Sequence, residues 1–197
     1  MGFVASERME KFLRRLLKVF RFEDMKIPLG IVATDLATGD PVLFRDTGDV
    51  NLPIRASCSY PGLFRPVKMG DLLLVDGAMS MEIPALLARE LGATHVISVH
   101  LPAGGVGSGP TNMFQVVNRC FQIMQTHTEQ SWRAASDLVI SPDVRGMAWD
   151  AFGCGPDLIK AGEEAALSAL PKIQSWLGVE QPSKAASGML TPDSAPA

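Results

Sequence analysis

The sequence of 197 residues predicts an α/β fold with a mainly parallel sheet and flanking helices. Three observations favour this class. Apolar residues make up 47% of the chain, which is enough for one domain with its own core. Short continuous apolar runs, such as residues 29–34 and 72–75, are typical of strands buried inside a sheet. In the second half of the chain these runs alternate with helical patterns, an order that builds parallel sheets.

The first predicted element is an amphipathic helix over residues 6–22. One face carries apolar residues at helical spacing and the other carries cations. The two sets are Met9, Phe12, Leu13, Leu16, Leu17 and Phe20, opposite Arg8, Lys11, Arg14, Arg15 and Lys18. A basic amphipathic helix either packs on a core with a solvated polar face or lies on an anionic membrane surface, and packing on a core is the commoner case.

A hairpin and two further elements follow this helix. Turn-forming residues 37–41 separate the run 29–34 from residues 42–45, which predicts a hairpin. A helix is predicted over residues 49–58, where Pro53 is tolerated because it falls in the first turn. The run 72–75 then predicts a buried strand.

The remainder of the domain is predicted to alternate helices with strands. The helices cover residues 83–91, 112–135 and 157–177, and the strands cover residues 95–101 and 137–141. Gly92 stands where the residue that ends the first of these helices belongs. Residues 179–197 are rich in Pro, Ser and Ala without periodicity, so a disordered tail is expected after a domain at residues 1–178.

Charge and cysteine content exclude several classes of function. The chain has 18 Lys and Arg against 21 Asp and Glu, a formal net charge of −3, whereas a nucleic-acid binder needs a basic surface. Cys58, Cys120 and Cys154 are odd in number and far apart, which excludes a disulfide framework and a CxxC zinc site. No apolar run is long enough to span a membrane, and the first residues do not predict a secretory leader. A cytoplasmic protein without a metal or other cofactor is expected.

The candidate for chemistry is Asp76, which directly follows the apolar run 72–75. Ligands and catalytic groups gather at the carboxyl ends of strands in open α/β sheets. Gly77 allows a sharp turn that leaves the carboxylate pointing out of the sheet. Partial burial would raise the pKa of this carboxyl and make it a general base. From these residues alone, the alternative that Asp76 caps a turn or helix is favoured.

Four blocks in a fixed order resemble the bacterial patatin-like phospholipases, a family of lipid acyl hydrolases. The blocks are residues 32–36 with 38–39, residues 54–59 with 61–62, residues 74–78, and residues 91–93, and the helical residues 161–166 also fit. The resemblance extends from about residue 2 to residue 177. It implies a three-layer α/β fold, a lipid ester or phospholipid substrate, and a Ser–Asp dyad. Asp76, completed by Gly77 and Ala78, takes the place of the family's general base.

The other half of the dyad has no counterpart in the sequence. The family's nucleophile stands in a G-x-S-x-G turn, and Ser108 comes nearest, with Val106 and Pro110 at the required glycine positions. The resemblance implies that the nucleophile and the oxyanion glycines precede the first helix. We therefore expect an N-terminally truncated domain that lacks its first strands and is inactive as an isolated chain. A sheet shortened in this way exposes an unpaired edge and favours self-association.

Other polar residues are weaker candidates. Ser57 and Ser59 are expected to form local hydrogen bonds rather than to replace the nucleophile. His95, His100 and His127 are not expected to share a site. The glycine-rich residues 104–109 could cradle a phosphate, but they lack the Lys-Ser/Thr of a P-loop.

For three of the remaining candidates a structural role is preferred over a second catalytic acid or a contact with phosphate or anionic lipid. Asp35 is expected to shape a turn, and Arg55 and Arg65 to pair with carboxylates. Apolar residues near the four blocks suit either an acyl groove or a core: Phe44, Tyr60, Phe64, Met69, Met79 and Met81. Two alternatives to a hydrolase stay open, namely a non-catalytic lipid- or partner-binding module of the same fold and, less favoured, a nucleotide-binding domain.

Overall fold

A computed structural model describes residues 7–101, 109–145, 147 and 152–178 of the chain. Its helices are α1 (Glu7–Leu16), α2 (Asn51–Ser57), α3 (Ala85–Glu90), α4 (Met113–Ala134) and α5 (Gly155–Trp176). Its strands are β1 (Ile31–Asp35), β2 (Pro41–Phe44), β3 (Val67–Met69), β4 (Leu72–Asp76), β5 (Ile97–Val99) and β6 (Leu138–Ile140). The predicted α/β class with flanking helices is confirmed. Ser108, most of the glycine-rich loop and the predicted tail lie outside the described residues.

The strands form two sheets that differ in direction. The larger sheet has the order β2-β1-β4-β3 and every pairing in it is antiparallel, whereas β5 and β6 form a parallel pair. Within the described residues, the predicted parallel arrangement therefore holds only for β5 and β6. For the parallel pair and for two of the three antiparallel pairings, the reason is connection length. Turns of a few residues join β1 to β2 and β3 to β4 and can only reverse the chain, while α4 provides the long crossover that a parallel pair needs.

The helix predicted over residues 6–22 ends at Leu16. Beyond it the backbone runs extended beside residues 48–50. The Val50 N–H donates to the Phe20 carbonyl and the Phe22 N–H donates to the Gly48 carbonyl, both at 3.0 Å. Phe22 and Val50 are buried together with Ile31. Long-range pairing and this burial outweigh continuation of the helix, an effect that the local sequence does not reveal.

Three small clusters of buried side chains hold the elements together. Ala33, Ala56, Val67 and Leu74 pack between the four-stranded sheet and α2. Ala85, Val96, Trp132 and Ala135 join α3 to the end of α4 and to the residues around β5. The earlier part of α4 leaves apolar side chains at the surface, with Met113 75% and Met124 60% exposed. Among the residues of α4 whose side chains the structure describes, only Trp132 near the C-terminal end is buried.

Candidate functional site

Asp76 is the last residue of β4 and is fixed by its backbone. It pairs with Ala33 of β1, and its N–H donates to the Ser59 carbonyl at 3.1 Å. Thr34 of β1 donates its hydroxyl hydrogen to the Asp76 carbonyl at 2.9 Å. The strand end, the residues after α2 and the neighbouring strand thus determine where the carboxylate lies.

Gly77 is required by a close approach of two backbone segments. A Cβ atom at this position would stand 2.3 Å from the Val32 carbonyl oxygen and 2.9 Å from the Val32 carbonyl carbon. Glycine allows such an approach because it has no Cβ. The sequence motif therefore has a steric cause, because only glycine lets the turn after Asp76 rest directly on β1.

The Asp76 carboxylate accepts a hydrogen bond from the Ala78 N–H at 2.9 Å. Burial raises the pKa of the Asp76 carboxyl above its ordinary value, and the bond from Ala78, which favours the charged form, opposes part of this shift. A carboxylate that is harder to keep charged is a stronger base, which suits proton abstraction. Asp76 therefore caps the turn, as the sequence predicts, and its carboxylate also has the properties of a base.

Asp76 faces an open cavity of about 360 Å³, which we call the Asp76 cavity. Its wall comes from the start of β1, the end of α2 and the segment that follows β4. The lining residues are Gly30, Ile31, Val32, Ile54, Ser57, Cys58, Asp76, Gly77, Ala78, Met81, Glu82 and Pro84. The cavity offers a mostly apolar surface with two carboxylates in its wall, those of Asp76 and Glu82.

Cys58 and Tyr60 are not activated by their position near Asp76. Cys58 is exposed as a whole, but burial of its thiol and then the negative charge of Asp76 raise its pKa. The same two causes, in the same order, raise the pKa of the Tyr60 phenol, whose O–H donates to Asn118 at 2.6 Å. Because the thiolate is the nucleophilic form of cysteine, Cys58 is poorly suited to attack an ester.

The two serines near the motif have different environments. Ser59 is buried and donates its hydroxyl hydrogen to the Arg55 carbonyl at 2.6 Å, as expected for a local hydrogen bond. Ser57 lines the Asp76 cavity, at the C-terminal end of α2. Neither residue stands in a G-x-S-x-G turn.

The three histidines are not brought together at Asp76, as expected. His95 stacks on Trp176 with ring centroids 4.6 Å apart, and His127 is exposed on α4. His100 lies against Trp132, with ring centroids 5.1 Å apart. None of the three lines the Asp76 cavity.

Asp35 and Arg55 have the structural roles predicted for them. An Asp35 carboxylate oxygen accepts the Ala37 N–H at 3.1 Å and shapes the turn to β2. Arg55 forms an ion pair with Glu10 of α1 at 2.6 Å. Arg65 is exposed. Of the apolar groove candidates, Met81 lines the Asp76 cavity, whereas Phe44 and Met69 pack against the core.

Glu82 is a site residue that the sequence did not indicate. It lines the Asp76 cavity, and one of its carboxylate oxygens accepts the Trp132 indole N–H at 3.1 Å. The other oxygen lies 3.7 Å from His100 Nε2. Glu82 thereby connects the segment after Asp76 to α4 and β5. Its partners lie far away along the chain, so no local pattern signals this role.

The residues that the structure describes contain no group of three or more His, Cys, Asp or Glu side chains that could hold a metal ion. None of the described helices is both long and apolar enough to cross a bilayer.

Comparison with known proteins links the segment around Asp76 to a family. Residues 1–89 match the family model of the patatin-like phospholipases. A stretch of 109 residues, 55% of this chain, is 31% identical to uncharacterized NTE family proteins of Mycobacterium bovis and Mycobacterium tuberculosis and covers 29% of their length. Another NTE family protein of M. tuberculosis is 46% identical over 54 residues, which is 27% of this chain and 9% of that protein. The chain thus spans less than a third of the length of these relatives. Residues 1–89, which include Asp76, are therefore similar to the patatin-like phospholipases.

Proposed function

We propose that this chain supplies the general base of a serine-type lipid acyl hydrolase, with Asp76 as the catalytic base. The observation that carries the proposal is a carboxyl with a raised pKa, held at a strand end and facing an open cavity, within the residues that match the family. The substrate class is a lipid ester or phospholipid, in keeping with the family.

In the proposed chemistry the Asp76 carboxylate first takes up a proton and then releases it. As a serine oxygen attacks the ester carbonyl carbon, Asp76 takes the serine proton. When the bond from the acyl carbon to the alcohol oxygen breaks, the proton passes to the departing alcohol. Water then attacks the acyl-serine while Asp76 takes the water proton. As the bond from the acyl carbon to the serine oxygen breaks, this proton passes to the serine oxygen, which releases the fatty acid and restores the serine. The Ala78 N–H orients the carboxylate through each step.

The serine nucleophile is proposed to come from residues outside this sequence. No serine in the chain has the G-x-S-x-G context, and Ser59 is buried and already engaged with Arg55. The isolated chain is therefore proposed to be an incomplete, inactive part of the hydrolase site. Backbone donors for the developing oxyanion would come from the same outside segment.

The test is hydrolysis of a short-chain p-nitrophenyl ester by two proteins. The chain alone should show no turnover above buffer, whereas the chain fused behind a patatin-family segment that carries G-x-S-x-G should be active. In the fusion, Asp76→Asn should lower kcat by about 10²–10⁴-fold, the usual contribution of a general base. Asp143→Asn, at an exposed ion pair with Arg145, is the matched control and should leave kcat unchanged. Turnover by the chain alone that is lost in Asp76→Asn would contradict the external nucleophile, and an active Asp76→Asn fusion would contradict the base.

A non-catalytic lipid- or partner-binding role is a second candidate, supported by the surface of α1. Phe12 and Leu16 are 61% and 63% exposed, and Lys11 and Arg15 on the same helix are also exposed. Apolar side chains beside cations suit an anionic lipid surface. Co-sedimentation with anionic vesicles, with no ester hydrolysis even by the fusion, would favour this role, and failure to co-sediment would count against it.

Self-association through a sheet edge is a further part of the proposal. Within the described residues, β2 and β3 each pair on one side only, and unpaired edges invite pairing between chains. Sedimentation velocity should show association that increases with concentration. A single monomeric species at all concentrations would contradict it.

A further inference from the structure

A second cavity of about 360 Å³ lies between the four-stranded sheet and α4, and we call it the α4 cavity. One side comes from β1, the turn after it, β4 and the segment that follows β4. The other side comes from four residues of α4. The lining residues are Thr34, Asp35, Leu36, Gly39, Pro61, Val75, Ala78, Met79, Ser80, Glu82, Phe121, Met124, Gln125 and Thr128.

The α4 cavity adjoins the Asp76 cavity through shared wall residues. Ala78 and Glu82 line both cavities. Ala78 is also the residue whose N–H binds the Asp76 carboxylate. The segment that begins at Gly77 therefore lies between the candidate base and the second cavity.

Four of the polar side chains in the wall of the α4 cavity are engaged within the protein. The Thr34 hydroxyl is hydrogen-bonded to the Asp76 carbonyl and lies 2.8 Å from the Ser80 hydroxyl. An Asp35 carboxylate oxygen accepts the Ala37 N–H, and Glu82 accepts the Trp132 indole N–H. Because these groups already have partners, the wall presents mainly apolar surface to a ligand.

We infer that the α4 cavity binds the acyl chain of the ester on which Asp76 acts. The inference rests on the proposed function, since the position of the ester carbonyl is taken from Asp76. Met79, Phe121 and Met124 supply apolar contacts, and flexible methionines adapt to chains of different shape. Leu36 and Met124 are 53% and 60% exposed, so the outer end of the cavity is open and a longer chain can extend beyond it.

Binding of the fluorescent fatty acid cis-parinaric acid to the 197-residue chain tests the inference without any need for catalysis. The unmodified chain should give a saturable rise in fluorescence that dodecanoate reverses and butyrate does not. Met124→Trp, which fills the cavity from α4, should weaken binding by about tenfold or more, equivalent to about 1.4 kcal/mol. Leu36→Trp fills it from the exposed turn after β1 and should have the same effect, even if Met124→Trp proves to be poorly folded by circular dichroism.

The matched control is Ile123→Trp, on the same helix but outside the cavity lining, and it should bind like the unmodified chain. The inference would be overturned by an absence of saturable binding, by Leu36→Trp binding as well as the unmodified chain, or by an equal loss in Ile123→Trp. Asp76→Asn separates this proposal from the previous one, because it should lower kcat of the fusion by about 10²–10⁴-fold and leave parinaric acid binding intact. Binding together with an inactive fusion would therefore refute only the hydrolase. Hydrolysis by the fusion without acyl binding would refute only the α4 cavity.

Discussion

The close approach of Gly77 to Val32 predicts a large effect of one added methyl group. In Gly77→Ala the new Cβ would lie 2.3 Å from the Val32 carbonyl oxygen, about 1.1 Å inside the 3.4 Å at which ordinary contact begins. The contact is with the backbone of Val32. This backbone cannot shift easily because β1 is paired with β2 on one side and with β4 on the other. Overpacking costs about 1–3 kcal/mol or more, and a backbone contact belongs at the upper end, about 3 kcal/mol. For a chain of this size the expected fall in Tm is about 6–12 °C.

Thermal and urea unfolding followed by far-UV circular dichroism would measure this effect. Gly162→Ala is the matched control, because a Cβ there meets no atom within 4 Å and the residue lies inside α5. That variant should be stabilised by about 0.5–1 kcal/mol, since alanine is the better helix former. If Gly77→Ala unfolds within about 0.5 kcal/mol of the unmodified chain, the steric explanation of the motif is refuted.

Two further predictions concern the charge and the anchoring of the site. Because burial raises the folded-state pKa of Asp76, this residue favours folding most at acid pH, and its contribution falls as pH rises from the ordinary value of 3.8 through the folded-state pKa. The free energy of unfolding of Asp76→Asn, measured with urea, should therefore rise relative to that of the unmodified chain as pH increases to neutral. A difference between the two proteins that does not change with pH would contradict burial as the cause of the pKa shift. Trp132→Phe removes the donor to Glu82 and should cost about 1–3 kcal/mol beyond the loss in Trp176→Phe, with faster amide exchange at residues 81–83. Equal losses in the two variants would show that this hydrogen bond contributes little.

Elements with a local signal were predictable from the sequence. The hairpin of β1 and β2 follows from the turn residues between two apolar runs, and α4 follows from its long periodic pattern. In contrast, β3 has only three residues and includes Lys68, so neither length nor alternation identifies it. The direction of β4 was also not predictable, since a continuous apolar run looks the same in parallel and antiparallel sheets.

In the candidate site, too, only residues with a local sequence signal were predictable. Asp76 could be found because it follows a buried strand and precedes a glycine, both of which are local features. Glu82 could not be found, since its significance depends on Trp132, 50 positions further along the chain. The exposed apolar face of α1 was likewise unpredictable, because the periodic pattern indicates which residues share a face and not what covers that face.

The arrangement of the two sheets implies an order of events in folding. The antiparallel sheet is built from neighbouring segments of residues 31–76, and two of its three pairings are hairpins whose loops close within microseconds. The parallel pair of β5 and β6 must wait for α4 to bridge 41 positions, from Ile97 to Leu138, and contacts between distant segments slow folding. We therefore expect the Asp76 strand to be formed early, and its connection to α4 through Glu82 to be completed late. A kinetic intermediate would then contain the candidate base in place before the α4 cavity has formed beside it.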